Sequence, residues 1–340
     1  MARRLPIYRP RHDEQPHGCL FCMAGWEKHM DSGRILCARG MEAAGWLTTA
    51  GGGVGLGETD TIRVLEEHCL EIAVFWPRAE WDRRWWRGGT HVGPEHCFRR
   101  VEDLARRPDV LRVAVHHDAA TNIRRSRRWH AQFRPHLYLT WYHPRSVLRY
   151  TPWAQAEQIV RTYHVVDPAL VPDVGPRDGM ALLSGAIGDR HYPLRTRLWR
   201  AVKNDGLKGV DLLPHPGYHG NGHATNDYLR TLSQYRVAIC TASRHGFALR
   251  KIFEATAAGC RVITDLPAYD KLPEIDGNLV RIDPQIPLRD LADLIAAEAD
   301  GWDLDRQRSV AEKCVARYSH LAECRRLSDE LHRRWRAWND

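Results

Sequence analysis

Residues 237–265, VAICTASRHGFALRKIFEATAAGCRVITD, decide the fold. They read as strand, glycine turn, helix, strand. Val237, Ala238, Ile239 and Cys240 form the short unbroken apolar run of a parallel strand buried on both faces. His245-Gly246 interrupts it. From Phe247 the period changes, and Phe247, Ile252, Phe253, Ala257 and Ala258 fall on one helical face. Gly259 stands where a helix C-terminal glycine belongs, and Val262-Ile263-Thr264 opens the next strand. A helix that starts beside a strand's carboxyl end offers free N–H groups and a positive dipole end to an anion. Arg250, Lys251 and Glu254 project from its first turns. Two cations suit the phosphates of a nucleoside diphosphate, and the carboxylate suits a ribose diol. An ordinary βαβ unit with a solvated charged face uses the same residues.

Outward from that stretch, 340 residues exceed the usual single core, so two α/β domains are expected. Apolar residues make up 43% of the chain, enough for two cores, yet no run of about eighteen suggests a membrane span. The N-terminus is charged without an apolar signal region, and nine cysteines form no small-scaffold pattern; both point to the cytoplasm. A formal charge of +8 favours anionic partners, whether phosphates, nucleic acid or a membrane surface.

In the first half, residues 1–17 read as a polar extension and Cys19-Leu20-Phe21-Cys22-Met23-Ala24 as a first strand. His17, Cys19, Cys22, His29 and Cys37 are close enough in sequence to raise zinc. A helix closed by Gly45 and a strand at 46–49 instead make a β-α-β order that splits Cys19 and Cys22 across a pleat, so no metal is expected. The loop carrying Gly53, Gly55 and Gly57 follows a strand and precedes a helix, which suits a backbone cradle for phosphate or acceptor. It is neither a dinucleotide fingerprint nor a P-loop. Further strands are expected at 71–76, 111–118, 136–142 and 161–166. The segment WDRRWWRGGTHVG mixes tryptophan and arginine, as stacking grooves, phosphate surfaces and snorkelling covers all do. His116, His117 and Asp118 end the strand at 111–118, on the edge that faces a ligand crevice in α/β domains.

Residues 171–179, VPDVGPRDG, are the linker by composition. Beyond it come a strand ending at Ser184-Gly185, a helix with Pro193 in its first turn, a strand at 210–213, a helix at 226–235 and the opening stretch. His215, His219 and His223 lie on a glycine-rich connection. A strand at 278–282, a helix at 288–299 and one long arginine-rich helical run complete the chain.

The run GFALRKIFEATAAGCRVITDLP resembles the donor-domain signature of GT-B glycosyltransferases, nearest the group-one families and their spore-maturation-protein-like branch. The resemblance implies two Rossmann-like domains facing across a cleft: an acceptor-side domain at 18–174, a nucleotide-sugar domain at 179–300, and a helical segment at 301–340 that packs back on the first. It implies that Glu254 holds the donor ribose. The family often carries a sugar-contacting glutamate eight positions earlier, where this chain has Gly246. The strand ending at Gly185 resembles the one whose loop clamps the diphosphate, with Arg195 in the place of the family's lysine and Arg190 standing in for its arginine. His245, Gly246, Phe247, Arg250 and Lys251 complete the implied donor site. His117 and Asp118 match the family's His-Asp at the cleft; one acts as base if the transfer inverts, and His117 positions the sugar if it retains.

The implied function is metal-independent transfer from a nucleoside diphosphate sugar, with no cofactor, to an acceptor hydroxyl. DNA with hydroxymethylated bases is an alternative acceptor, as for phage DNA glucosyltransferases of this architecture. A catalytically silent nucleotide-sugar-binding protein is the alternative of another class, and a non-hydrolysing epimerase shares the fold.

Overall fold

The structure is a computed structural model, described for residues 19–22, 32–48, 69–75, 107–116, 123, 127, 130, 131, 133–204, 206–215 and 224–340. Six strands form a first sheet: β1 (Cys19–Cys22), β2 (Leu47–Thr48), β3 (Ile72–Phe75), β4 (Leu111–Val115), β5 (Leu137–Thr140) and β6 (Ile159–Arg161). Their order is β2-β1-β3-β4-β5-β6 and every pairing is parallel. Helix α1 (Ser32–Ala43) joins β1 to β2 and is closed by Gly45 in the left-handed region, φ 89°. The short α2 (Pro144–Leu148) follows β5.

The second sheet holds β7 (Gly179–Gly185), β8 (Val210–Pro214), β9 (Tyr235–Ile239), β10 (Arg261–Thr264) and β11 (Leu279–Arg281), in the parallel order β11-β10-β9-β7-β8. Its helices are α3 (Pro193–Lys203), α4 (Ala224–Leu232), α5 (Arg250–Ala257) and α6 (Leu288–Asp300). Alternate strand residues face opposite layers. Leu182, Ala238 and Val262 pack on the side of Leu232, Ile252 and Phe253, whereas Leu183, Ile239 and Ile263 pack with Leu198, Leu291 and Ile295. Burial on both faces explains the apolar centres of β7, β9 and β10, whereas the less buried β8 carries Asp211.

Two last helices, α7 (Leu304–Tyr318) and α8 (His320–Asn339), join the halves. Cys314 and Tyr318 of α7 sit in the core of the second sheet, while Leu327, Leu331 and Trp335 of α8 sit in that of the first. Gly40 lets α1 and α8 touch, because a Cβ there would collide with the His320 carbonyl and the Cys324 thiol. Trp46 Nε1 donates to Ser328 Oγ at 2.8 Å across the same contact.

Three expectations need correction. The helix expected from Phe247 begins at Arg250, because Gly246 takes a left-handed φ of 68° and sends Phe247 out of the helix. The strand expected at 161–166 lies at Ile159–Arg161; Thr162 and Tyr163 instead hydrogen-bond Glu323, and Val166 bridges to Ser319. The single terminal helix is two, broken where Ser319 turns to ψ 148° and its hydroxyl caps α8 by accepting from the Ala322 N–H.

Candidate functional site

The carboxyl edges of the two sheets meet. Beyond β5, Tyr142 stacks on Phe247 with ring centroids 4.0 Å apart, and Ser146 Oγ lies 2.9 Å from the Tyr269 hydroxyl. Tyr150 Oη lies 2.7 Å from His245 Nδ1. From the end of β6, Arg161 Nη2 reaches Asp270 Oδ1 at 2.5 Å. The loops after β9 and β10 thus form one wall of a seam, and the segment after β5 forms the other. Ligands of parallel α/β sheets bind at such edges.

On the second sheet, β7 ends at Ser184-Gly185, with Gly185 at φ 114°. A Cβ there would run into Lys251 Nζ and come within 3.0 Å of Arg195 Nη1. Two cations therefore converge over a bare backbone position, one from α3 and one from the first turn of α5. Arg195 is 2% exposed and is held in place by neutral groups. Its Nε donates to Thr241 Oγ1 at 3.2 Å, Nη1 to the Ala186 carbonyl at 3.0 Å and Nη2 to the Thr241 carbonyl at 3.2 Å. Its guanidinium also lies over the Tyr192 ring, 4.2 Å from the centroid.

Lys251 Nζ donates to Ser184 Oγ at 3.2 Å, and Ser184 Oγ is 2.9 Å from the Tyr228 hydroxyl. Among the described residues neither cation forms an ion pair. The electrostatic consequence appears on the lysine, whose pKa falls to about 8, chiefly through burial and then through the Arg195 charge. His215, at the end of β8, is likewise lowered by burial and by both cations. Buried positive charge without a carboxylate partner is costly, and an incoming anion relieves that cost.

Glu254 lies one turn beyond Lys251's neighbour Arg250, 6% exposed, with Oε1 3.0 Å from Arg250 Nε. Arg250 thus serves the carboxylate rather than the cation pair over Gly185. Of the residues singled out by sequence, the structure brings Gly185, Arg195 and Lys251 together, with Glu254 and Arg250 on the same helix. His245 and Gly246 lie on the loop toward the seam. Phe247, 3% exposed, packs its side chain in the core under Tyr142, so its ring does not face the cation pair. Arg190 is exposed on the turn before α3, with no hydrogen bond or ion pair among the described residues, and does not join Arg195. His117, Asp118, Gly53, Gly55 and Gly57 lie outside the described residues. Next to them in sequence, His116 is buried, with Nε2 3.5 Å from Thr151 Oγ1. Among the described residues no cluster of three or more metal-ligating side chains occurs.

Sequence reasoning missed Ser184, Thr241 and Tyr228, which hold the two cations, and Tyr150 and Tyr269 across the seam. A small polar residue directly after a buried apolar run, as in LLS and AICT, is a signal that finds the first two. The tyrosines carry no local signal.

No protein-family model matches the sequence, and no curated protein matches it. Among solved structures, the chain is similar to a sucrose-phosphate synthase from Thermosynechococcus elongatus, at TM-score 0.56 and 12% identity, over 95% of this chain and 100% of that one. It is also similar to Anabaena HepE in complex with UDP-glucose, at TM-score 0.49 and 15% identity over 92% and 98%. A glycosyltransferase from Rickettsia africae gives TM-score 0.49 and 10% identity over 93% and 97%. Taken with two parallel sheets that meet at their carboxyl edges, the likeness to the synthase over the whole of both chains shows the fold: GT-B, two Rossmann-like units facing across a cleft.

Proposed function

We propose that the chain is a glycosyltransferase that moves a sugar from a nucleoside diphosphate sugar to an acceptor hydroxyl, without a metal, in the cytoplasm. One observation carries the reading: the buried Arg195 and the half-buried Lys251 converge over Gly185, neither with an ion pair among the described residues. A diphosphate supplies the missing negative charge. Its leaving oxygens gain charge as the glycosidic bond breaks, so two fixed cations stabilise that state more than the ground state. Arg195 offers a planar guanidinium already oriented by Thr241, and Lys251 a point charge oriented by Ser184. Glu254 is the residue for the ribose diol. His117 or Asp118 is the base on the acceptor hydroxyl if the anomeric centre inverts.

Titration with UDP, GDP, ADP and TDP tests this. Lys251→Met and Arg195→Ala should each weaken binding of the preferred nucleotide by about 1–3 kcal/mol, the range for hydrogen bonds to charged groups. Unchanged affinity in both variants would refute the site. DNA with hydroxymethylated bases is the alternative acceptor, one of the anionic partners that a charge of +8 suits, and retention on duplex with a steep salt dependence is its readout.

A further inference from the structure

The path from the two cations to the seam runs along neighbouring strand ends. Thr241, which anchors Arg195, opens the loop after β9, and Asp265 Oδ1 accepts from the Ala242 N–H at 2.6 Å, tying this loop to the one after β10. At Gly246 the two loops press together. A Cβ on residue 246 would come within 2.9 Å of Pro267 Cγ and 3.7 Å of the Tyr269 hydroxyl. With φ at 68°, a backbone angle that L side chains rarely adopt, a side chain there would be both strained and crowded. The space such a side chain would enter is taken by the loop after β10, and the polar atom that loop presents there is Tyr269 Oη.

Tyr269 is held from across the seam by α2 and its N-cap residue. Its hydroxyl meets Ser146 Oγ, the His143 ring stands edge-on at 5.1 Å, and the Arg145 guanidinium lies over its ring at 4.7 Å. Despite these contacts it keeps 37% exposure, among the largest for an apolar ring in the described chain. An exposed aromatic ring with a fixed hydroxyl at its rim presents an apolar face to C–H groups and one neutral hydrogen bond to a hydroxyl. That is the chemistry of an uncharged sugar.

The geometry points to Tyr269 as a specificity-determining residue that contacts the transferred sugar, its hydroxyl occupying the place closed to a side chain at 246. The inference rests on the nucleotide-sugar reading above. Because Ser146 lies on α2, across the seam from Tyr269, the contact exists only while the two sides of the seam meet, and sugar recognition is tied to that contact.

Isothermal titration of wild type, Y269F and S146A with UDP, GDP and ADP, and with UDP-glucose, GDP-mannose and ADP-glucose, tests it. For the nucleotide that binds, Y269F lowers the ratio of nucleotide-sugar to nucleotide affinity by about three- to tenfold, the worth of one neutral hydrogen bond. S146A lowers the ratio less, in the same direction, because the hydroxyl remains but is no longer held. A ratio unchanged in both variants overturns the assignment of Tyr269. The parent reading fails separately, when wild type binds none of UDP, GDP, ADP and TDP or when K251M and R195A both bind the preferred nucleotide as well as wild type does.

Discussion

Lys251 is the residue whose chemistry is most altered by its surroundings. Burial and the Arg195 charge lower its pKa from 10.5 to about 8 in the ligand-free protein. The unfolded chain therefore holds this proton more tightly than the folded one, and stability from this group rises as pH climbs from about 8 toward 10.5. Nucleotide binding has the opposite sign, since a diphosphate favours the charged lysine. Affinity should be highest below pH 8 and fall above it, approaching about tenfold per pH unit where lysine protonation limits binding. Titrations between pH 7 and 9.5 measure this, and K251M should flatten the profile. A profile equally steep in K251M would place the titrating group elsewhere. Arg195 cannot share in this, because a guanidinium stays protonated throughout the range.

At the scale of elements, the linker does more than connect. Arg177 is buried under the C-terminus of α5, where Nη2 donates to the Ala258 carbonyl and Nη1 to the Tyr235 carbonyl at 2.7 Å. Its guanidinium lies over the Trp302 ring, 5.2 Å from the centroid. A cation there caps the negative end of the helix dipole and satisfies carbonyls that have left the ladder. Arg177→Ala should cost about 2–4 kcal/mol in chemical denaturation, since it strips buried acceptors of their donors. Arg177→Lys should recover little, because one ammonium cannot span carbonyls on separate elements. A wild-type midpoint in both would show that water replaces the guanidinium without loss. The runs at 72–75 and 237–239 were legible as strands because parallel strands buried on both faces are apolar nearly throughout, and LRVAV at 111–115 keeps that pattern around one buried arginine, Arg112. The start of α5 was not legible. Phe247 fits the apolar face of that helix by spacing, and periodicity cannot tell packing on one's own helix from stacking on Tyr142 across the seam. The Ser319 break hid in a sequence amphipathic on both sides, and it is fixed by a partner 153 residues away, Val166. In the site, the charged residues flanking the glycine turn were readable, whereas Tyr150 and Tyr269 gain meaning only when the sheets meet.

For the whole molecule, what matters is how the two sheets are held across the seam. Asp270 is 0% exposed, and among the described residues only Oδ1 of its two carboxylate oxygens is bonded, to Arg161 Nη2 of the first sheet. Burial raises its pKa, with Arg161 opposing that rise. Attraction between the pair is thus set against a large desolvation cost, and the pair fixes a geometry more than it adds stability. Removing one partner has a different result. Arg161→Met leaves a carboxylate buried beside a methionine and should cost about 3–5 kcal/mol, the range for an orphaned buried charge. Asp270→Asn in the same chain removes that charge and should restore most of the loss, even though the pair is now wholly absent. The double-mutant cycle in urea reads this directly: strong non-additivity, with the double variant more stable than Arg161→Met alone, is the expected outcome. Additive losses would mean that Arg161 acts through its packing on Tyr163, where its guanidinium lies 4.6 Å from the ring centroid, and not through Asp270. Because Tyr269 is the neighbour of Asp270, the same Arg161→Met chain should also lose part of its preference for nucleotide sugar over nucleotide. A seam that loosens at residue 270 cannot hold the hydroxyl at residue 269.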